Sequence, residues 1–186
     1  RNTTAATHSN GATVLNSSDY IAWGEAASGD LVVDPGLWSI DNFGDKVIAL
    51  IHNAQVFEWD SNAANAVTVR ATIISGAPTA SRDMLVSTPD RHLVFFGTEL
   101  TIGDPTTQDE MFIRFSNQED INTYQPTAVN TAGTQRLADG SKITGALRGR
   151  DAIYVWTDTS LFTMRFIGQP FTFGFQQVGT NCGLIG

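Results

Sequence analysis

The sequence holds one cysteine, Cys182, in 186 residues. A lone thiol excludes an intrachain disulfide and any zinc or iron–sulfur site built from four thiolates, so Cys182 is expected to be a small buried residue. Basic residues are also scarce: 11 Lys and Arg stand against 19 Asp and Glu, for a formal net charge of -8. Gripping nucleic-acid phosphates requires clustered Lys and Arg that displace counterions, and Arg148 and Arg150 are too few to do it. No stretch approaches the ~20 consecutive apolar residues of a membrane span, and the N-terminus lacks the basic-then-apolar layout of a secretory leader. A soluble chain with no membrane partner is expected.

The signatures of catalysis are missing too. There is no G-x-S-x-G elbow, no H-E-x-x-H and no P-loop. The three histidines, His8, His52 and His92, stand beside no serine or cysteine in a nucleophile pattern and read as surface or satisfied core residues. Asp104, Asp109, Glu110 and the pair Glu119-Asp120 are the candidates for the two-carboxylate chemistry of propeller glycosidases. Their plainer reading is solvated loop acids and turn formers, and the S-x-D-x-G-x-T-W turn of sialidase-type propellers is absent. "GDPTTQDE" offers oxygen ligands without the order and closing Glu of a calcium loop. No catalytic residue, cofactor-binding residue or metal ligand is assigned, and the chain is not expected to be an enzyme.

What is abundant is strand signal. Gly and Pro punctuate the chain at "DPG", "GAP", "GDP" and "GQP", and helix signals are few, which makes the class all-β. In "RGRDAIYVWTDTSLFTMRF", Ala152–Trp156 is bulky and β-branched or aromatic, and Leu161–Phe166 alternates with period two. The two form a hairpin through Thr157-Asp158-Thr159-Ser160. Asp158 and Ser160 are expected to hold that turn by bonding backbone N–H groups, with Trp156 packed between sheets. Two further segments look alike. One has strands Lys46–Ile51 and Gln55–Trp59 about the turn His52-Asn53; the other has His92–Phe96 and Met111–Phe115 across an excursion through Gly103-Asp104-Pro105.

These units begin near residues 46, 92 and 151, about the ~40–50 residues of a four-stranded propeller blade. A blade has two apolar faces that only stacked neighbours can cover. About three blades fit between Trp38 and Gly186, fewer than the four to about eight of a closed ring. The expectation is therefore a partial propeller, or a fragment of a longer chain, in keeping with Arg1 at one end and the apolar "NCGLIG" at the other. Residues 1–22 are expected to be an extended or flexible arm, since Arg1–Ser18 is Thr-, Asn-, Ala- and Ser-rich without apolar period. Residues 23–186 are expected to be the propeller-like domain. Within it, Val67, Val69, Ala71 and Ile73 alternate like a strand, and Phe166, Phe171, Phe173 and Phe175 suit a core-facing strand around the Gly168–Pro170 turn. Asn117 and Asp120 of "SNQED" read as turn caps.

"FGDKVIAL…VFEWD", "IRFSNQEDINTYQPTAVNTAG", "GSKITGALRGRDAIYVWTDTSLFTMRFIGQPFTFGFQQVG" and "NCGLIG" together resemble virion proteins of tailed bacteriophages related to the tail nozzle and packaged-DNA-stabilisation (tail hub) proteins. The likeness runs from about Trp23 to Gly186, with "RFSNQED", "NTAG" and "VWTD" its most specific combination. It implies a non-enzymatic, propeller-bearing structural subunit of the virion. Such subunits assemble as a homo-oligomeric ring, often a hexamer, below the portal and adaptor proteins, and DNA passes transiently through the lumen. A full member of that family is several times longer than this chain.

The acidic balance suits such a conduit, because attractive contacts would slow the DNA and like charge repels it over roughly ~10 Å. The Asp104–Glu110 loop is the expected source of channel-side acids. Two alternatives stand beside this reading. One is a glycan-binding or glycan-hydrolysing propeller of a receptor-binding tail component, which needs two carboxylates and an exposed aromatic converging in a pocket. The other is a generic protein-interaction propeller, which would be monomeric with all its blades in one chain.

Overall fold

A computed structural model of the chain describes residues 37–184 except 65 and 89, together with two short strands nearer the N-terminus. Its contacts divide the chain into two units, Arg1–Gly36 and Leu37–Gly186. In the first, β1 (Ala6–Thr7) and β2 (Thr13–Val14) pair antiparallel, Ala6 opposite Val14. The boundary expected between residues 22 and 23 lies outside the described residues, as does His8.

The second unit is three four-stranded antiparallel sheets that follow one another along the chain. The first sheet is β3 (Trp38–Phe43), β4 (Lys46–Ile51), β5 (Val56–Asp60) and β6 (Thr72–Ile73); the second is β7 (Asp83–Val86), β8 (Leu93–Phe96), β9 (Phe112–Phe115) and β10 (Gly133–Arg136). The third is β11 (Ile143–Arg148), β12 (Ile153–Thr157), β13 (Ser160–Gly168) and β14 (Thr172–Thr180). Each sheet is a meander in which every strand pairs with its neighbour in sequence. The helical content among the described residues is a single 3-10 turn, Pro105–Thr107. The chain is all-β, and the three hairpins read from the sequence are β4–β5, β8–β9 and β12–β13, the central pair of each sheet.

Burial explains the strand compositions. In β8, Leu93, Val94, Phe95 and Phe96 are all buried, because the second sheet is covered on both sides. Leu93 and Phe95 join Met84 and Val86 in packing on the first sheet, where Phe43, Ile48, Leu50 and Val56 meet them. Val94 and Phe96 face the other way with Ile113 and Phe115, against Ile153, Val155, Phe162 and Met164 of the third sheet. A strand buried on both faces loses the apolar–polar alternation of a half-exposed one.

The sheets meet at their first strands: β7 lies against both β3 and β11. Like turns also adjoin. Gly44, at φ +65° in the β3–β4 turn, sits against the Arg91 side chain of the β7–β8 turn. Gln108, between β8 and β9, donates to the side-chain oxygen of Asn53 in the β4–β5 turn at 2.8 Å. The first and second sheets therefore stack in the same sense.

Four local expectations are corrected. The alternation at Val67, Val69, Ala71 and Ile73 yields a strand only at Thr72–Ile73. Before it the chain turns, because the Trp59 indole N–H donates to the carbonyls of Ala66 and Val69 at 3.1 and 3.2 Å and holds the backbone off the ladder. Phe171 is exposed in the turn that follows the cis Gln169–Pro170 bond, and Phe166 is 43% exposed with its ring against His92 and Phe173; of the four phenylalanines, Phe173 is buried and Phe175 packs on the core edge. Cys182 is exposed: the segment after β14 runs beside the β12–β13 turn, with Cys182 N–H donating to the Thr159 carbonyl at 3.1 Å, and meets solvent on its far side. Trp156 lies on the face of the third sheet opposite the core, half-buried beside Tyr154.

Candidate functional site

The most organised polar feature among the described residues is the seam where the first strands meet. On β3, side chains alternate, and Ser39 and Asp41 point toward the second sheet on the same face as Phe43. The Ser39 hydroxyl donates to the Asp83 carboxylate at 2.6 Å, and the Val86 N–H donates to Asp41 Oδ2 at 2.8 Å. From the end of β11, Arg148 Nη1 reaches the same Asp41 oxygen at 2.8 Å and the Val86 carbonyl at 2.7 Å. One guanidinium thus bonds to elements of both other sheets. Its role here is structural: Nη1 is held between a carboxylate of the first sheet and a carbonyl of the second.

A second network is buried within the second sheet. Asp90 Oδ2 accepts from the Ser87 hydroxyl at 2.7 Å and pairs with His92 Nδ1 at 2.8 Å. His92 Nε2 meets the Thr131 hydroxyl at 3.1 Å, and that hydroxyl also accepts from the Gln118 N–H and donates to Asn117 Oδ1. The line Asp90–His92–Thr131 has the order of a nucleophile triad. Yet His92 is wholly buried among the rings of Phe115, Phe166 and Phe173, and the hydroxyl is already fully engaged. Burial acts to raise the Asp90 carboxyl, but the hydrogen bonds from His92 and Ser87 outweigh it and hold the group below its ordinary value. His92 is thus the satisfied core histidine of the sequence reading. Its partners lie at positions 87, 90 and 131, and no local motif marks that set.

Of the loop acids, Asp104, Asp109, Glu110 and Asp120 are likewise engaged. Asp104 caps the 3-10 turn by accepting from the Thr106 N–H at 3.1 Å and its hydroxyl at 2.5 Å. For Asp109, burial pushes the carboxyl up, but the Met111 N–H and the Arg136 guanidinium, 2.7 Å away, bring it below its usual value. Glu110 pairs with Arg82 at 2.8 Å. This loop joins the second and third strands of its sheet and is not part of the first-strand seam. Asp120 Oδ1 caps a turn by accepting from the Asn122 N–H at 2.8 Å, while Asn117 reaches the Thr131 N–H at 3.0 Å, tying "SNQED" to "NTAG".

Asp158, expected to hold its own turn, instead accepts from the Ser141 N–H at 2.8 Å and hydroxyl at 2.5 Å, which depress its carboxyl. The β12–β13 turn is held by Thr157, whose hydroxyl oxygen accepts from the Ser160 N–H at 2.9 Å and the Thr159 N–H at 3.3 Å. Ser160 donates to Asp139.

Two clefts bear on the glycan alternative. One, of about 420 Å³, lies between the β3–β4 turn and the "SNQED" loop and is lined by Asp45, Asp60, Glu119 and Asp120. Its aromatic is Phe43, a buried core residue, and Asn62 occupies both Asp45 and Asp60. The other, of about 320 Å³, has an apolar floor of Met164, Phe166 and Phe173 under Arg148, Arg150 and Asp151. Neither brings two free carboxylates to an exposed ring. Among the described residues no group of three or more His, Cys, Asp or Glu is placed to hold a metal ion, and no helix is long and apolar enough to cross a membrane. No family model, curated protein or solved structure matches the chain.

Proposed function

We propose that the chain is a structural assembly subunit whose sheets act as propeller blades, and that it serves as a ring component of a phage tail nozzle or hub, below the portal and adaptor proteins, around the DNA conduit. The observation that carries this reading is the convergence of β3, β7 and β11, where Arg148 bonds to Asp41 and Val86. Four-stranded meanders whose first strands adjoin suit blades arranged about an axis, which supports the reading. The apolar composition of both faces in each sheet supports it, since such sheets are stable only between neighbours. The net charge of -8 supports passage of DNA without capture. The placement in a phage tail rests on the resemblance of "RFSNQED", "NTAG" and "VWTD" to the nozzle and hub proteins.

Electron microscopy of intact tail particles containing the chain tests this reading. A ring of radial sheets at the tail, with the β3, β7 and β11 edges toward the axis, is the expected result. Absence of the chain from the particle, or sheets lying tangential to the axis, would overturn it.

A further inference from the structure

We propose that the two open faces of the three-sheet stack form one head-to-tail interface: the outer face of the third sheet in one copy packs on the outer face of the first sheet in a second copy. The proposal rests on the assembly reading and names the partner it requires.

The first sheet's register puts Trp38, Ile40, Val47, Ala49, Trp59 and Ile73 on the side away from the second sheet. Trp38 is 54% exposed, Ile40 65% and Ile73 48%. On the third sheet, Leu147 opposite Tyr154 and Trp156 opposite Leu161 make the corresponding outer surface, and Leu147 is 61% exposed. Exposed apolar side chains that share one sheet face mark sites of association. β4 and β12 carry apolar residues on both faces, as β8 does, but among the described residues only β8 has a sheet on each side.

The chain's own packing identifies the occupant. The middle sheet receives the first sheet on the face of Met84, Val86, Leu93 and Phe95, and presents the face of Leu85, Val94, Phe96 and Ile113 to the third. All three sheets are the same meander with first strands adjoining. The open face of the first sheet is therefore the counterpart of the middle sheet's receiving face. The open face of the third is the counterpart of its presenting face. Among the described residues each end lacks a neighbour of the kind the other end supplies, so a second copy continues both internal interfaces. Because the two faces differ, the contact is heterologous, and such a contact is finite only if the repeat closes. Two copies of three sheets make six, within the range of about four to eight in closed rings.

The test is sedimentation of the intact chain over a wide concentration range, with Ile40→Lys on the first face and Leu147→Lys on the third. Both positions are exposed, and near-UV circular dichroism verifies that each variant keeps its fold. The wild type should form a two-copy species, and each variant alone should weaken it by about 100-fold or more, since a lysine is buried unpaired. Mixing the two variants should restore association, through the one interface that carries neither lysine. A monomeric wild type, a mixture no better than its components, or loss of association in one variant only would overturn the pairing. A chain that is monomeric alone yet sits in a ring among other subunits by electron microscopy overturns this pairing and leaves the assembly reading standing.

Discussion

Arg148 and Asp41, 107 residues apart in the chain, meet at 2.8 Å, and the same guanidinium bonds to the Val86 carbonyl. The contact ties the first strand of the third sheet to the first strands of the other two. Because Arg148 is about two-fifths exposed, Coulomb attraction across it is screened, and the two hydrogen bonds decide its worth. Arg148→Ala should destabilise the fold by about 1–2 kcal/mol in urea unfolding. A double-mutant cycle with Asp41→Ala should show coupling between the two sites; strict additivity would separate them.

Asp90 predicts a pH signature. Its folded carboxyl lies below its ordinary value, as does that of Asp109, whereas in the unfolded chain both titrate near ~3.9. A depressed carboxyl contributes stability that is fully present above the unfolded value and lost as pH falls through the folded one. Stability should therefore be level from pH 7 to about 5 and decline below about 4. Asp90→Ala, which leaves the buried Ser87 hydroxyl and His92 Nδ1 unpaired, should cost about 2–5 kcal/mol at pH 7, with the difference from wild type shrinking in acid. A variant with the same acid slope as wild type would remove Asp90 from the account.

Much of the fold was legible in the sequence, and the reason is burial. The central hairpins β4–β5, β8–β9 and β12–β13 are dense in bulky apolar residues, so composition marks them. The flanking strands were harder to read. β10, "GTQR", and β6, "TI", lie at sheet edges with little buried surface, and β7 and β11 hold the seam through Asp83 and Arg148, whose polar side chains look like loop. The seam itself joins residues 41, 86 and 148, a separation no local pattern reports. Period-two reading failed at Phe171 because a turn interrupts the alternation.

Trp156 and Phe162 should separate the two faces of the third sheet. Phe162 is buried in the core shared with the second sheet, and Phe162→Ala should cost about 3–5 kcal/mol. Trp156 is half-buried on the opposite face, so Trp156→Ala in the dilute chain should cost well under that. Equal losses in chemical denaturation would place Trp156 in a core.

Gly133 opens β10 directly over the Phe115 ring, and a Cβ there would clash with Phe115 Cζ. Phe115 cannot withdraw, because it packs edge-on against Phe173 at 4.9 Å. Gly133→Ala should cost about 1–3 kcal/mol by overpacking, read as a lowered midpoint in thermal unfolding. An unchanged midpoint would show that the ring has room to move.

The most direct test of the central claim, that this chain works by completing a larger body of stacked sheets, is a cryo-electron microscopy map of the assembled protein. The account predicts a sheet seated against the Trp38–Ile40 surface, another against the Tyr154–Trp156 surface, and β3, β7 and β11 nearest the axis. A map in which both of those surfaces face open solvent would contradict it.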